Sequence, residues 1–416
     1  MKQIIIQGGN KLSGTIKISG AKNSAVALIP ASILCDESVT LANVPNISDV
    51  DALEDILKHL NAEIERRDNG ELYISSSSIK NRKLDKKLAK RLRASYYFMG
   101  ALLGKYKKCE MCFPGGCSIG TRPIDLHLKG FEALGAKVKE NGDNYTIEAD
   151  ELKGAKIYLD FASVGATINI MYAAVKAEGT TIINNAAKEP EIVNVATFLN
   201  NMGAKITGAG TKRIKIEGVK YLHSCFHEVI PDRIEAGTYE IIGAACSDKL
   251  KINNIIPEHL EALHNKLRKM KVNITVEFDN AVVIESGNLK ATDITTEVYP
   301  GFPTDLQQII ATLMTQAAGE SEIHETIYEN RFQNLYELMK MGAKVKIDGE
   351  RAIIKGKTPL TGTEVYATDL RGGAGLVVAG LLAEGTTIID NADLILRGYE
   401  GIVEKLRAVG ADITLE

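Results

Sequence analysis

An internal repeat of about seventy residues is the feature that most constrains what this chain can fold into. Six times, a helix-like stretch ends in an apolar residue that is followed by Gly-Ala-Lys or a related triplet. The apolar residues at this position are Leu60, Leu134, Met202, Met270, Met341 and Val409. They are separated by 74, 68, 68, 71 and 68 residues, so six units fill the 416-residue chain. This period is longer than that of helical solenoids, and each unit is nearly large enough to bury a core with its neighbours.

The third unit shows the order of secondary structure most clearly. Its sequence predicts a helix over 166–177, a strand over 180–184 and an amphipathic helix over 191–202. Two further strands are predicted over 204–207 and 213–217. One unit is therefore expected to be β-α-β-α-β-β, and six of them make an α/β protein.

Six such units could form one closed ring or two globules of three units each. A single hydrophobic core stops growing at roughly 250–300 residues, which favours two domains. A boundary at Val229-Ile230-Pro231 places the first domain at residues 22–230 and the second at residues 231–416. Because the repeat phase leaves the last unit short of one strand, we expect residues 1–21 to belong to the second domain.

The composition indicates a folded protein without a strongly charged partner. Apolar residues make up 45% of the chain and charged residues 25%, which disfavours disorder. The net charge of −3 predicts no general attraction to nucleic acid or to a membrane surface. The amino terminus lacks the apolar core of a signal peptide, and no apolar run is long enough to span a membrane. Six cysteines in so long a chain do not suggest a disulfide framework, so we expect a cytoplasmic protein with reduced thiols.

Cationic residues recur at four of the six places where the first helix of a unit is predicted to begin. Such turns expose backbone N–H groups and the positive end of the helix dipole, which attract anions. The six starts are Lys22-Asn23, Arg93-Ala94, Ser163-Val164-Gly165, Asp232-Arg233, Thr304-Asp305 and Asp369-Leu370-Arg371. The turns before the second helices add Arg122, Arg331 and Arg397. A single surface cation is usually only solvated, but the recurrence predicts a small anionic ligand with phosphate and carboxylate groups, both of which the planar arginine fork binds.

A glycine-rich segment at about residues 113–122 lengthens the second unit alone, which is typical of a binding loop or lid. It contains Cys117, close in sequence to Arg122. Because a neighbouring cation lowers the pKa of a thiol, Cys117 could act as a nucleophile or a proton donor, although most loop cysteines are inert.

Two other cysteine patterns allow metal-site interpretations. Cys109-x-x-Cys112 resembles half a zinc site, but alternate placement on a strand explains it equally well. His223, Cys225 and His227 would share one face of a strand and could form a metal triad. No Walker loop or strand-placed G-x-G-x-x-G is present, and we expect neither a metal nor a cofactor.

The motifs at these positions resemble those of the enolpyruvyl transferase family. The matching segments are Gly20-Ala21-Lys22-Asn23, Leu92-Arg93-Ala94-Ser95, residues 114–123, Pro231-Asp232-Arg233, Phe302-Pro303-Thr304-Asp305, Glu329-Asn330-Arg331-Phe332, Asp369-Leu370-Arg371 and Arg397-Gly398-Tyr399-Glu400. They extend over the whole chain. The cysteine segment is similar to that of the branch that begins peptidoglycan synthesis and is absent from the branch that acts on shikimate 3-phosphate.

The resemblance implies two inside-out α/β barrels of the EPSP synthase type, each of three β-α-β-α-β-β units, with the active site in the cleft between them. It implies transfer of the enolpyruvyl group of phosphoenolpyruvate to the 3-hydroxyl of UDP-N-acetylglucosamine, with release of phosphate by addition and elimination. A related transferase with another hydroxyl acceptor, or a non-catalytic anion-binding protein on the same fold, remains an alternative. The sequence leaves open the oligomeric state and which of two paralogous copies this is.

The resemblance also implies roles for the matching residues in the chemistry. Cys117 would protonate the methylene carbon of phosphoenolpyruvate and can form a covalent adduct with it, and Asp305 would take the proton of the sugar hydroxyl. The phosphoenolpyruvate phosphate would be bound by Lys22, Arg122 and Arg397, of which Lys22 and Arg397 also count as catalytic. Its carboxylate would face Arg331 and Arg371, and Asn23 also matches a phosphoenolpyruvate contact.

A second set of residues matches the contacts of the nucleotide sugar in that family. They are Asn23, Arg93, Arg122, Pro123, Ile124, Asp125, Leu126, Ser163, Val164, Gly165, Asp305 and Ile327. Phe161-Ala162-Ser163-Val164 stands where one branch has Lys-Val-Ser-Val, so a contact from position 161 to the diphosphate is in question.

Overall fold

A computed structural model describes residues 2–112, 124–277 and 281–416. These residues form two compact units. The amino-terminal unit contains residues 20–112 and 124–230, and the carboxy-terminal unit contains residues 2–19 together with the described residues from 231 to 416. Each unit has its own hydrophobic core.

The chain opens with two strands and continues through the first three repeats. The opening strands are β1 (Ile4–Gln7) and β2 (Leu12–Lys17). The first repeat contains α1 (Lys22–Ala31), β3 (Ser38–Ala42), α2 (Ser48–His59), β4 (Glu63–Arg66) and β5 (Leu72–Ser75). The second contains α3 (Lys86–Arg91), α4 (Tyr97–Tyr106), β6 (Lys108–Cys112), α5 (Asp125–Ala133), β7 (Lys137–Asn141) and β8 (Asn144–Glu148). The third contains β9 (Lys156–Tyr158), α6 (Val164–Ala174), β10 (Thr180–Asn184), α7 (Pro190–Asn201), β11 (Lys205–Thr207) and β12 (Arg213–Glu217), and β13 (Cys225–Glu228) follows it.

The last three repeats lie in the carboxy-terminal unit. The fourth contains α8 (Arg233–Cys246), β14 (Ser247–Asn253), α9 (Glu261–Lys269), β15 (Asn273–Glu277) and β16 (Ala281–Glu285). The fifth contains β17 (Ile294–Thr295), α10 (Thr304–Met314), β18 (Gly319–His324), α11 (Gln333–Lys340), β19 (Lys344–Asp348) and β20 (Arg351–Gly356). The sixth contains β21 (Glu364–Tyr366), α12 (Leu370–Leu382), β22 (Thr386–Asp390), α13 (Asp393–Leu396), α14 (Ile402–Ala408) and β23 (Asp412–Leu415). Short 3-10 turns occur at Ser32–Leu34, Arg93–Tyr96 and Pro257–Leu260.

Each repeat builds one small sheet, and the third repeat confirms the predicted order of elements. Strand β9 runs parallel to β10, which pairs antiparallel with β12, and β12 in turn pairs antiparallel with β11. The parallel pair needs a helix as its crossover connection, which α6 provides, whereas the antiparallel pair β11–β12 is joined by a short turn. The sheet of the fifth repeat has the same order.

Strands from outside the repeats complete the sheets at the ends of each unit. Strand β13 pairs parallel with β3 and supplies the first strand of the first repeat. Strand β2 pairs parallel with β14 in the fourth repeat, and β1 lies between β22 and β23 in the sixth. Residues 4–17 are therefore part of the carboxy-terminal unit although they begin the chain.

The second repeat departs from the predicted pattern. Within the described residues its sheet has three strands, in the order β6-β8-β7, and lacks the parallel edge strand of the other repeats. The segment 80–83, where that strand is expected, reads Lys-Asn-Arg-Lys and is exposed. Polar and charged residues of this kind have low strand propensity, and the expectation of four strands in every repeat was wrong here.

The first helices of the repeats form the centre of each unit. In α6 every residue except Val164 is buried, and α4 packs against it closely because Gly100 has no side chain. A Cβ at Gly100 would lie 2.4 Å from the backbone oxygen of Asn169. In the carboxy-terminal unit α8, α10 and α12 pack on one another in the same way. The helices lie inside each unit, and the candidate site residues lie at their amino-terminal ends.

Candidate active site

The first helices begin where the repeat predicts. Their starts are Lys22 (α1), Arg93 (the 3-10 turn before α4), Ser163 (cap of α6), Asp232 (cap of α8), Thr304 (α10) and Asp369 (cap of α12). In α6, α8 and α12 the cap side chain accepts hydrogen bonds from backbone amides of the first turn. The cap satisfies one amide in α6 and two amides each in α8 and α12, so these ends offer fewer free N–H groups to a ligand than an uncapped helix start.

At the start of α10, the carboxylate of Asp305 holds two arginines. The Nη2 atom of Arg331 lies 2.8 Å from Oδ1, and Nη2 of Arg371 lies 3.3 Å from Oδ2. Both arginine side chains are 3% exposed, whereas that of Asp305 is 27% exposed. The structure thus brings together three of the predicted site residues, with buried cations and a carboxylate that is partly open to solvent.

The two arginines control the protonation of this carboxylate. Burial raises the pKa of Asp305, but the charges of Arg331, Arg371 and Arg233 outweigh burial and hold that pKa well below its usual range. Asp305 is therefore ionised at neutral pH while the arginines hold it. It becomes a useful base only when its contact with the arginines weakens.

Aromatic rings support both arginines, and sequence reasoning did not assign them a role. The guanidinium of Arg331 lies 5.1 Å from the centre of the Tyr328 ring, and that of Arg371 lies 5.3 Å from the centre of Tyr399. Such contacts stabilise a cation that has little water around it. The position of Tyr399 in the Arg397-Gly398-Tyr399 motif was the available signal.

In the amino-terminal unit, Lys22 is paired with an acid that sequence reasoning did not single out. Its Nζ lies 2.8 Å from Oδ2 of Asp49, and the two side chains are 13% and 3% exposed. Asp49 belongs to the first turn of α2, where a carboxylate is also favoured by the helix dipole. Asn23 follows Lys22 on α1 and is partly buried.

A second cluster in that unit surrounds the start of α6. The rings of Tyr96 and His127 lie 4.9 Å apart, and a Cβ at Gly165 would lie 2.9 Å from Cε1 of His127. Burial, and then the charge of Arg93, lower the pKa of His127 to about 3. Oδ1 of Asn169 accepts a hydrogen bond from Gly100 N, so its amide nitrogen donates to Nδ1 of the ring. His127 is therefore neutral with its proton on Nε2.

The remaining predicted contacts lie on the edges of these clusters. Ile124 precedes α5 and is buried, whereas Asp125 is exposed and Leu126 is partly buried. Val164 begins α6, and Ile327 lies in the segment between β18 and α11. Arg397 follows α13 directly and is partly buried. The side chain of Phe161 is 51% exposed.

Three predicted site residues, Cys117, Arg122 and Pro123, lie outside the described residues.

The metal-site interpretations are not supported. Cys109 and Cys112 both lie on β6 and are buried, which confirms placement on a strand. The two ring nitrogens of His227 lie 2.8 and 3.2 Å from the amide nitrogens of Asn194 and Asn201, respectively. No group of three potential ligands suited to a metal ion occurs in the described part of the chain. Among the same residues, no helix is long and apolar enough to cross a membrane.

Comparison with known families extends over nearly the whole chain. Residues 6–406 match the EPSP synthase (3-phosphoshikimate 1-carboxyvinyltransferase) family. A relative named UDP-N-acetylglucosamine 1-carboxyvinyltransferase 2 from Listeria monocytogenes is 55% identical over 412 residues, which is 99% of this chain and 97% of that protein. The protein of the same name from Bacillus anthracis is 52% identical over 416 residues, which is 100% of this chain and 97% of the relative.

Solved structures show the same fold. The enolpyruvyl transferase NikO from Streptomyces tendae superposes with a TM-score of 0.91 at 26% identity and covers 100% of this chain and 98% of that chain. EPSP synthase from Acinetobacter baumannii superposes with a TM-score of 0.79 at 19% identity and full coverage of both chains. These similarities confirm the expected EPSP synthase-like α/β fold.

Proposed function

Because this chain belongs to the EPSP synthase family, we propose that it transfers the enolpyruvyl group of phosphoenolpyruvate to the 3-hydroxyl of UDP-N-acetylglucosamine and releases phosphate. This reaction is the first committed step of peptidoglycan biosynthesis. The observation that carries the proposal is the full-length identity of 52–55% to relatives named for UDP-N-acetylglucosamine carboxyvinyl transfer. Free thiols on the described cysteines support a cytoplasmic, reducing location.

The cluster around Asp305 suits a substrate that carries a carboxylate. Arg331 and Arg371 are buried cations that share a single carboxylate in this structure. A planar guanidinium binds a second carboxylate through its other N–H groups, and two buried cations balance two anions better than one. The carboxylate of phosphoenolpyruvate would therefore bind to these arginines next to Asp305.

Substrate binding would also prepare Asp305 as the base. A second carboxylate on Arg331 and Arg371 takes over part of their charge and adds a like charge nearby, so the pKa of Asp305 rises from its depressed value. The 3-hydroxyl then gives its proton to Asp305 while its oxygen forms a bond to C2 of phosphoenolpyruvate. Asp305 is thus an effective base when both substrates are bound.

The other steps would use Cys117 and three cations. C3 of phosphoenolpyruvate accepts a proton from Cys117 as the C2–O bond forms, which gives a tetrahedral adduct. In the second step C3 gives a proton back to the Cys117 thiolate, and the C2–C3 double bond forms again as the bond from C2 to the phosphate oxygen breaks. Lys22, Arg122 and Arg397 would stabilise the departing phosphate, and a buried, water-poor surrounding strengthens such contacts.

The start of α6 and the residues around it would bind the nucleotide sugar. Arg93 would contact the diphosphate, and the lack of a side chain at Gly165 lets the side chains of His127 and Tyr96 pack against the start of α6. The other contacts would come from Asn23, Arg122 to Leu126, Ser163, Val164, Asp305 and Ile327. Phe161 supplies no cation, so the diphosphate would depend more on Arg93 and Arg122.

Phosphate release tests this function. The full-length protein is given phosphoenolpyruvate and UDP-N-acetylglucosamine together, each alone, and phosphoenolpyruvate with shikimate 3-phosphate. Release only with the first pair is the expected result, and release with shikimate 3-phosphate would assign a different acceptor. A Cys117→Ser variant that releases phosphate at the wild-type rate would remove Cys117 from the mechanism.

A further inference from the structure

A buried carboxylate lies beside the proposed site without taking part in the proposed chemistry. Glu325 directly follows strand β18 and is 2% exposed. An ionised carboxylate has only acceptor atoms, and its burial is costly unless hydrogen-bond donors surround it. The donors that surround Glu325 therefore indicate what it holds in place.

Four donors reach this carboxylate, and all four belong to neutral groups. Oε1 accepts hydrogen bonds from Oγ1 of Thr296 at 2.9 Å, from the amide of Ile327 at 2.9 Å and from the amide of Tyr328 at 3.3 Å. Oε2 accepts a hydrogen bond from Oγ1 of Thr304 at 2.9 Å. One side chain thus joins the start of α10 to the segment that follows β18.

The bond from Thr304 sets the direction of a second hydrogen bond. A hydroxyl has one proton, and Thr304 donates it to Glu325, so its lone pairs are left to accept. Nη1 of Arg331 donates to that same Oγ1 at 3.0 Å. Glu325 therefore makes Thr304 an acceptor for the arginine that also holds Asp305.

The amide contacts act on the same arginine from another direction. Glu325 orders residues 327 and 328, and the ring of Tyr328 lies 5.1 Å from the guanidinium of Arg331. Two of the groups that hold Arg331, the Thr304 hydroxyl and the Tyr328 ring, are thus anchored on Glu325. Ile327, which the proposed function places against the nucleotide sugar, shares this anchor.

We propose that Glu325 is a positioning residue for enolpyruvyl transfer, which orients Arg331 through Thr304 and Tyr328 and orders Ile327. The inference rests on the proposed function. It assigns Glu325 two effects. Oε2 acts on Arg331 through Thr304, whereas Oε1 orders Ile327 and, through Tyr328, adds to the support of Arg331.

Steady-state kinetics of four variants separate these effects. Glu325→Gln keeps one oxygen for the Oε1 donors but places an amide donor against Thr304, where it competes with Arg331. Thr304→Val removes the hydroxyl, and the double variant combines the two changes. Glu240→Gln is the matched control, since Glu240 is fully buried in the same unit and lies 3.1 Å from His264, outside the site.

We expect Glu325→Gln and Thr304→Val each to raise the KM for phosphoenolpyruvate by about tenfold, the effect of losing one hydrogen bond to a charged group. The KM for UDP-N-acetylglucosamine should change less than about twofold, as expected if the Oε1 contacts persist. The KM for phosphoenolpyruvate of the double variant should not exceed that of the more strongly affected single variant, because both changes break the same chain of contacts. Glu240→Gln should leave both constants near the wild-type values.

Two results would overturn the inference. One is a KM for phosphoenolpyruvate in the double variant that rises by the product of the two single effects. The other is a Glu325→Gln variant whose kinetic constants equal those of Glu240→Gln. If Glu325→Gln does not fold, Thr304→Val alone tests the inference. An unchanged KM for phosphoenolpyruvate in Thr304→Val would contradict the proposed chain of contacts. Wild-type protein that releases no phosphate would refute the proposed function instead, so the two failures are distinguishable.

Discussion

Replacing Asp305 by Asn changes the charge at the centre of the site with little change in shape. The carboxylate makes ion pairs of 2.8 and 3.3 Å with Arg331 and Arg371. A pair of unit charges near a protein surface attracts by roughly 4 kcal/mol at 4 Å, and the 27% exposure of Asp305 reduces this value. A substrate carboxylate no longer competes for the arginines in the variant, so phosphoenolpyruvate should bind more tightly by about 1.4–2.8 kcal/mol, or roughly 10- to 100-fold.

Turnover should change in the opposite direction. An amide cannot accept the proton of the sugar hydroxyl, and loss of a general base typically lowers the rate by about 10²- to 10⁴-fold. Calorimetric titration with phosphoenolpyruvate measures the affinity, and phosphate release with both substrates measures turnover. Asp348→Asn is the control, because Asp348 is exposed on β19 of the same repeat.

The combination of tighter binding and slower turnover is specific to this reasoning. Weaker phosphoenolpyruvate binding in Asp305→Asn would show that Asp305 does not compete with the substrate for the arginines. A turnover within about threefold of wild type would remove Asp305 as the base, since base catalysis contributes far more than that.

Three further predictions concern stability and fit. Burial raises the pKa of Glu235 to about 7. The stabilising contribution of Glu235 is therefore complete below about pH 4.5 and is lost as the pH rises through 7. The unfolding free energy of the wild type should fall between pH 5 and 8, and in Glu235→Gln this fall should be smaller by about 1–3 kcal/mol. Gly165→Ala forces the ring of His127 to move, so it should cost about 1–3 kcal/mol in denaturant unfolding and raise the KM for the nucleotide sugar. Asp232→Ala should lower the unfolding free energy by about 1–2 kcal/mol, and Asp85→Ala, at an exposed cap, by less; equal losses would contradict a larger role for the buried cap.

The repeat made much of the fold accessible from sequence because its landmarks are local. Helix ends, strand starts and the phase of seventy residues depend on nearby residues, and the third repeat matches its predicted order element by element. The same phase predicted a missing strand in the last unit, and β1 lies in that sheet. The helix starts that carry Lys22 and Thr304 followed from the same reasoning.

The unpredicted features depend on contacts between distant parts of the chain. Nothing local distinguishes Glu325 from a solvated acid, and its role appears only when Thr296 and Thr304 are brought to it. The pairing of Asp305 with both arginines joins residues up to 66 positions apart. The pairing of β13 with β3 in the first sheet also joins distant segments of the chain.

Analysis of the reaction product tests the central claim most directly. The protein is incubated with both substrates, the released phosphate is quantified, and the nucleotide product is analysed by mass spectrometry and NMR. The account predicts one phosphate for each molecule of UDP-N-acetylglucosamine that gains an enolpyruvyl ether on its 3-oxygen. Phosphate release without a new ether, or an ether on another hydroxyl, would contradict it.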